Sequence, residues 1–216
     1  MTIAVETVIT AARTVLQDPD KVRWTDAELV AWRNGGLRDI STLRPDIMTE
    51  YVEVPLADGL MQELPAACVR IMDVINNTAT PRTAVVQISR SLLDLQFPNW
   101  ASTAPNAVTK HVIYDERTPK RFMVFPPAMT GHSLLMLCSM APTEVELVSG
   151  TFVLGATINL PTRYTNAIID YVLFRAFSKD AEDENYVARS TAHYNLFKSA
   201  LADEAQIGKA ASTKAG

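Results

Sequence analysis

The sequence predicts an α+β fold: N- and C-terminal helices form an antiparallel helical bundle, and an antiparallel β-rich domain is inserted between them. Residues 3–43 show helical periodicity, residues 50–140 show short strand patterns, and helical periodicity returns after residue 161. Each helical pair has an apolar stripe to bury, so we expect the two pairs to pack together. The predicted parts are residues 1–47 with 159–205 for the bundle, 48–158 for the β-rich domain, and 206–216 for a flexible C-terminal tail.

The composition is that of a globular protein with enough residues to build a core. The chain has 216 residues, of which 48% are hydrophobic and 20% are charged. Its formal net charge is -4, whereas a general nucleic-acid binder carries a basic excess to contact phosphates. Cys68 and Cys138 lie in apolar surroundings and are predicted to be buried thiols rather than a disulfide.

The N-terminal residues do not have the pattern of a targeting segment. They lack a basic n-region and include Glu6, and no apolar run approaches the roughly 18 residues that span a bilayer. We therefore expect synthesis in a reducing cytoplasm and no membrane partner.

The N-terminal part predicts two helices. The first covers residues 3–17. Its apolar face comprises Val5, Val8, Ala12 and Val15, with Ile9 and Leu16 beside them. The second begins at Thr25, where Glu28 stands at the spacing of a capping box. Gly35 and Gly36 interrupt this helix, which predicts a close helix approach or a local bend.

The middle of the chain predicts a series of strands. They cover residues 51–54, 69–75, 85–88, 108–114, 121–125 and 133–140. The last is apolar on both faces, which is typical of a central or covered strand. Gly59 is predicted to lie in a turn.

The segment IYDERTPKRFMVFPP predicts a β-hairpin, closed by its double proline. Its packed base is predicted to contain Val112, Tyr114, Phe122 and Val124. Its charged tip is predicted to face a neighbouring subunit through Arg117, Thr118, Pro119 and Lys120. A nucleic-acid contact is less favoured there, because Asp115 and Glu116 are interleaved with the basic residues.

The C-terminal part predicts two further helices and the tail. One follows Pro161 and ends near Ser178, and the other covers about residues 181–205, with Val187, Tyr194 and Leu201 seven residues apart. The remaining residues are small, polar and lightly basic. They are interpreted either as a frayed end or as a segment that orders on a partner. The partner-binding candidates are Ile207, Lys209 and Lys214.

No motif for catalysis or cofactor binding is present in the sequence. There is no nucleophile elbow, HExxH, CxxC, GxGxxG or GxxxxGK[ST] pattern. His111, His132 and His193 are predicted to be structural or surface residues. The paired carboxylates stand at helix ends and turns, where acids serve capping and solubility. We expect no enzyme activity, no cofactor and no metal.

Five segments in their order resemble a known family. They are RWTDAELVAWRNGGLRDI, ELPAACVRIMDVINN, LLDLQFPNW, HVIYDERTPKRFMVFPP and YTNAIIDYVLFRAFSKDAEDENYVARSTAHYNLFKSAL. Together they resemble the head-to-tail adaptor proteins of tailed bacteriophages, also called head-completion or connector proteins, over about residues 1–205. The most specific pieces are the W-T-D-x-E-L helix start and the Y-D-E-R-x-P-x-x-F hairpin.

The resemblance implies a structural virion protein of the neck, made in the host bacterial cytoplasm. Such proteins form a ring, commonly twelvefold, whose helical part builds the ring and extends the DNA channel. The implied partners are the portal protein, a tail or neck protein, other copies of the chain, and DNA passing non-specifically through the lumen. The C-terminal segment is implied to dock on the portal. A tail-side completion or stopper protein is the alternative, and a DNA-binding regulator or small enzyme is less favoured.

Overall fold

The computed structural model describes residues 3–148, 151–152, 157–179 and 183–212, without the side chains of 151–152 and 203–212. The chain divides into two compact units, Met1–Ile47 with Pro142–Gly216, and Met48–Ala141. Helices and antiparallel sheets make the fold α+β, as predicted. The finer arrangement, an antiparallel bundle with an inserted β-rich domain over residues 48–158, stays a prediction.

The described α-helices are α1 Val5–Leu16, α2 Asp26–Leu43, α3 Arg90–Gln96, α4 Thr165–Ser178 and α5 Glu184–Ser212. The described strands are β1 Ile3–Ala4, β2 Thr49–Pro55, β3 Gly59–Glu63, β4 Cys68–Asn77, β5 Val86–Gln87, β6 His111–Tyr114, β7 Arg121–Ala128, β8 Ser133–Met140, β9 Leu147–Val148, β10 Thr151–Phe152 and β11 Thr157–Ile158. Two short 3₁₀ turns cover Trp100–Ser102 and Thr162–Tyr164.

The first unit is organised around α4, which packs against α1, α2 and α5. The Trp24 indole donates to the Ala176 carbonyl at 3.1 Å and so fixes the entry of α2 against α4. Gly36 is where α2 meets α4 closely, because a Cβ atom there would lie 2.9 Å from ring atoms of Tyr171. The predicted close helix approach at the glycine pair is therefore confirmed.

The start of α2 is confirmed and one assignment on α1 is wrong. Thr25 accepts from the Glu28 amide while the Glu28 side chain accepts from the Thr25 amide, which completes the capping box. Val15, predicted on the apolar face of α1, is 49% exposed, whereas Leu16 beside it is buried. At 100° per residue, Val15 falls at the margin of the buried stripe, and the buried face turns toward Leu16.

α5 is longer than the sequence predicts. It continues past the expected end at Ala205 to Ser212, so the backbone of residues 206–212 is helical. Of the residues spaced by seven, Leu201 is buried, while Val187 and Tyr194 are exposed. The flexibility of residues 206–216 stays a prediction, and residues 213–216 lie outside the described part of the chain.

The second unit contains two sheets around a shared core. Their strand orders are β2-β8-β4 and β3-β7-β6-β5. β8 is central, as predicted, and its residues Leu134, Met136 and Cys138 point into the core. The two sheets both contribute to that core, since Val54 and Val74 of one sheet pack in the same cluster as Val112, Phe122 and Val124 of the other.

Two sequence assignments in this unit are wrong. Gly59 begins strand β3 rather than lying only in a turn, and its φ is 100°. The register of β3 against β7 shifts between Gly59 and Met61. The double proline does not end β7, which continues to Ala128. Prolines supply no amide donor, but their carbonyls still accept, and the Asn106 amide donates to Pro127 at 2.9 Å.

The cysteines are buried in this core as free thiols, as predicted. Burial and the neighbouring Cys68 raise the pKa of Cys138 to about 12. The thiol of Cys138 therefore stays protonated at neutral pH, and both cysteines pack as small groups in the apolar core.

Candidate functional site

The predicted hairpin is formed by β6 and β7. Ile113 pairs with Met123 and Tyr114 pairs with Phe122 in an antiparallel register. Val112, Phe122 and Val124 are buried, and Tyr114 packs against them on the core side. The base of the hairpin is thus fixed by apolar packing, as the alternation of residues predicts.

The tip between the strands is an ordered turn. The Thr118 amide donates to the Asp115 carbonyl at 2.9 Å, and the Arg121 amide donates to the Thr118 carbonyl at 2.9 Å. The Tyr114 hydroxyl reaches over to donate to the Pro119 carbonyl at 3.2 Å. These bonds present Arg117, Thr118 and Pro119 on the surface in a defined conformation.

The charge of the tip is paired locally. Arg117 grips Asp115 through Nε and Nη2, with the closest contact at 2.6 Å, although the Arg117 side chain is 88% exposed. The hydrogen bond from Arg117 lowers the pKa of Asp115 to about 2 and raises the pKa of Arg117 itself. Solvent screens such an exposed pair, so it shapes the tip more than it stabilises the fold.

Lys120 has a different surrounding from Arg117. Its ammonium donates to the carbonyl of Ala66 at 3.0 Å and to the carbonyl of Cys68. It therefore joins the hairpin tip to the segment that enters β4. A contact of Lys120 with a neighbouring subunit stays a prediction. Its ammonium would have to make that contact in addition to, or in place of, its bonds to the two carbonyls.

A groove of about 580 Å³ lies beside the tip. Its floor is a cross-strand row in which Met61 and Ile113 flank Met123. Arg90 at the start of α3 lies on its rim, as do Arg117 and Arg121 of the hairpin. An apolar floor with a charged rim suits contact with another protein surface.

The sequence reasoning missed this groove because it did not predict β3. The segment from Gly59 to Glu63 follows Pro55 and begins with a glycine, and both residues indicate a turn, so Met61 was not placed beside the hairpin. For α3, the available sequence signal was Ser89, an N-cap residue whose hydroxyl accepts from the Leu92 amide at the start of the helix.

α3 and the residue after it add exposed apolar surface to the second unit. Leu95 is 78% exposed, and Leu92 and Phe97 are also exposed. Phe97 lies against Phe125, with ring centroids 5.4 Å apart. Contiguous apolar residues of this kind are characteristic of surfaces that meet another protein.

The tail candidates cannot be joined to this surface. Ile207 and Lys209 lie on the helical backbone of α5, but their side chains are outside the described residues. Lys214 lies wholly outside them. The structure therefore brings together Arg117, Thr118, Pro119 and Lys120, and the three tail residues stay predictions.

The first unit has its own surface depression, of about 340 Å³. Trp32 of α2 and Phe174 of α4 line it together with Arg175. Lys179 on its rim donates to Glu28 at 2.8 Å, and this bond lowers the pKa of Glu28. The depression is aromatic and basic, and its one described acid is already paired.

The histidines and acids have structural contacts. His193 Nδ1 lies 2.8 Å from Asp170, and its ring stacks on Phe177. The His111 ring stacks on Phe125. Within the described ranges, no group of three His, Cys, Asp or Glu residues is arranged to hold a metal ion. Among the described helices, none is long and apolar enough to cross a membrane.

Comparison with known sequences identifies one family. The sequence matches the family described as SU10 adaptor protein over residues 3–215, which is nearly the whole chain. A comparison with curated proteins gives no match. The family match agrees with the resemblance to phage head-to-tail adaptors that the order of the sequence segments indicates.

Proposed function

This chain belongs to the SU10 adaptor protein family, and we propose that it is the adaptor that joins the capsid portal of a tailed phage to its tail. The observation that carries the proposal is the family match over residues 3–215. Family membership supports a structural role in the phage particle. We propose no catalytic activity, cofactor or metal for it.

The proposed mechanism is geometric. Copies of the chain form a ring, with twelve copies as the expected number, and the ring extends the DNA channel of the portal. A ring requires heterologous contacts, in which one surface of a copy meets a different surface of the next. DNA crosses the lumen without sequence readout, and the net charge of -4 avoids a strongly basic subunit that would hold the phosphates.

The hairpin tip and the groove beside it are the proposed contact of the second unit with a neighbouring copy. Arg117, Thr118 and Pro119 are exposed on an ordered turn. The methionine floor of the groove adds an adaptable apolar surface. We assign Lys120 a supporting position, because its ammonium holds the carbonyls of Ala66 and Cys68.

The hairpin contact is tested with a charge reversal at Arg117 alone. Arg117→Glu places a third acid beside Asp115 and Glu116, and we expect it to impair assembly of the ring while the chain stays folded. Lys120 is left unchanged in this variant, because reversing it also removes the contacts of its ammonium within the unit. Normal assembly of Arg117→Glu would show that the tip is outside the interface.

The portal role is tested by co-sedimentation with the portal ring of the same phage. Three proteins are compared: the full chain, a chain ending at Ser212, and a chain ending at Ala205. We expect the full chain to sediment with the portal at a fixed stoichiometry and the chain ending at Ala205 to stay behind, because the truncation removes Ile207 and Lys209. The chain ending at Ser212 keeps the helical residues 206–212 and lacks Lys214, so it distinguishes their contributions to portal binding.

The other outcomes discriminate between roles. If all three proteins bind, the portal role holds and the tail is not the anchor. If none binds to an intact portal ring, the portal role is wrong, and the chain is better explained as a tail-side completion or stopper protein.

A further inference from the structure

Arg33 on α2 is a fully buried arginine with no acidic partner among the described residues. Its exposed fraction is 0%, and in the part of the chain that the structure describes no carboxylate forms an ion pair with it. Burial lowers the pKa of Arg33 to about 10, opposed by the charge of Glu144. The guanidinium therefore stays charged at neutral pH, and an unpaired buried charge is costly to a fold.

In the described part of the chain, Nη1 is the one nitrogen of the three that has hydrogen-bond acceptors. Nη1 donates to Asn34 Oδ1 at 2.6 Å and to the Thr143 carbonyl at 3.1 Å. Nε and Nη2 are buried, and no acceptor among the described residues lies within hydrogen-bond distance of either. These two nitrogens form one edge of the planar guanidinium, the edge that binds both oxygens of a carboxylate at once.

The same edge is occupied in two other arginines of this chain. Arg44 donates through Nε and Nη2 to the two oxygens of Asp46, at 2.9 and 2.7 Å. Arg117 donates through the same pair to Asp115. Arg33 is held in the orientation for such a contact by its Nη1 bonds, yet its binding edge faces no acid of the described chain.

A segment held mainly by polar contacts lies against Arg33. The Asn34 amide donates to the Val145 carbonyl at 2.9 Å and accepts from the Val145 amide at 3.3 Å. Arg38 pairs with Glu144 at 2.6 Å, on the surface. Together with the bond to Thr143, these contacts fix Thr143–Val145 along α2. A ligand reaches a side chain of 0% exposure only when a neighbouring segment moves, and this segment depends on a few polar bonds and the buried Val145.

We propose that Arg33 is a carboxylate-binding site, which grips its ligand through Nε and Nη2 after the segment Thr143–Val145 shifts. The carboxylate is either a small free anion or an aspartate or glutamate side chain of a second copy of this chain. The proposal does not depend on the portal role, since both sources are tested with the isolated protein.

The first experiment measures the melting temperature of the full chain in sodium acetate and in sodium chloride at equal ionic strength. Wild type is compared with Arg33→Met, which keeps an apolar stem, and with Arg33→Lys, which keeps the charge but lacks the planar edge. Acetate at ten times its Kd is expected to raise the Tm of wild type by about 3 °C over chloride. The rise should vanish in Arg33→Met and shrink in Arg33→Lys. Arg82→Met, at an exposed arginine of the second unit, is the control that keeps the full rise.

The second experiment measures self-association of the same proteins by sedimentation velocity. If acetate has no effect, but wild type associates while both Arg33 variants are folded and monomeric, the carboxylate comes from a second copy. If acetate acts on wild type and not on Arg33→Met, the site takes a free anion.

The proposal is overturned by equal behaviour of wild type and the Arg33 variants in both experiments. It is also overturned if wild type stays monomeric, acetate changes the Tm of none of the proteins, and Arg33→Met lowers the Tm in chloride by about 5 °C or more. That result would make Arg33 a satisfied structural residue. Arg33→Lys keeps the test valid if Arg33→Met does not fold.

Discussion

Arg33 in α2 and Arg117 in the hairpin tip are the same side chain in opposite surroundings. Arg117 is 88% exposed and binds its acid through Nε and Nη2. Arg33 is 0% exposed, and the same two nitrogens meet no acceptor in the described chain. An exposed pair in water contributes little to stability, whereas a buried donor without a partner costs free energy. Arg117, which stands out in the sequence as part of a charged turn, therefore contributes little to the free energy of folding. Arg33, which lies inside a helical pattern, has a larger effect on it.

The largest loss of stability is expected for a substitution at Asn34, which bonds both to Arg33 and to Val145. Asn34→Ala removes one of the two acceptors of Arg33 Nη1 and both bonds to Val145. Leaving these buried groups without partners is expected to cost about 3 kcal/mol of unfolding free energy, measured by urea denaturation. Thr42→Ala, an exposed position on the same helix, is the control and should change little. An equal, small effect in both variants would contradict the account of the Thr143–Val145 contacts.

The next effect tests the close approach that fixes α2 against α4. Gly36→Ala brings a Cβ atom to 2.9 Å from the Tyr171 ring and is expected to cost about 1–2 kcal/mol in spite of the better helix propensity of alanine. Gly35→Ala meets the same ring at 3.6 Å, an ordinary contact, and is expected to stabilise by up to about 1 kcal/mol. The urea midpoints of the two variants should move in opposite directions. Movement in the same direction would show that α4 yields easily.

A smaller effect distinguishes Lys120 from Arg117 within the hairpin tip. Lys120→Met keeps the apolar stem and removes the donor to the carbonyls of Ala66 and Cys68. We expect a loss of about 1 kcal/mol, again by urea denaturation. An unchanged midpoint would show that Lys120 is as free as Arg117 and available to a partner.

The smallest effect on stability is expected for Arg117→Gln. The urea midpoint should not change, but the pKa of Asp115 should rise from about 2 toward its ordinary value of 3.8, as measured by carboxyl NMR titration. A lowered pKa in the folded state means that the pair stabilises above pH 3.8 and that this contribution is lost as the pH falls toward 2. An unchanged pKa of Asp115 in the variant would assign the shift to the backbone amide of Arg117 instead.

The sequence predicted the elements whose signals are local. The Thr25 capping box, the packed base of the hairpin and the central strand β8 follow from short patterns of residue type. β3, with Met61, was missed because a proline and a glycine in its surroundings indicate a turn, and only its pairing with β7 makes it a strand. The groove floor depends on that pairing. It could not be read from the hairpin alone.

The surroundings of Arg33 could not be predicted for a related reason. In the sequence it stands between Trp32 and Asn34 in a helix, and nothing local indicates that Thr143–Val145, more than a hundred residues away, lies against it. Long-range contacts of this kind leave no periodic signal. Family membership, in contrast, was visible from the order of the segments, since it does not depend on which contacts they make.

The central claim, that this adaptor-family chain lies at the junction of head and tail, is tested most directly by locating it in the particle. Virions of the phage that encodes it would be produced with a tag after Gly216, labelled with gold-conjugated antibody and imaged by electron microscopy. The account predicts a label at the neck of every particle, between the capsid vertex and the tail. A label confined to the tail tip or the capsid shell would contradict it, as would particles that retain a neck but contain no detectable chain.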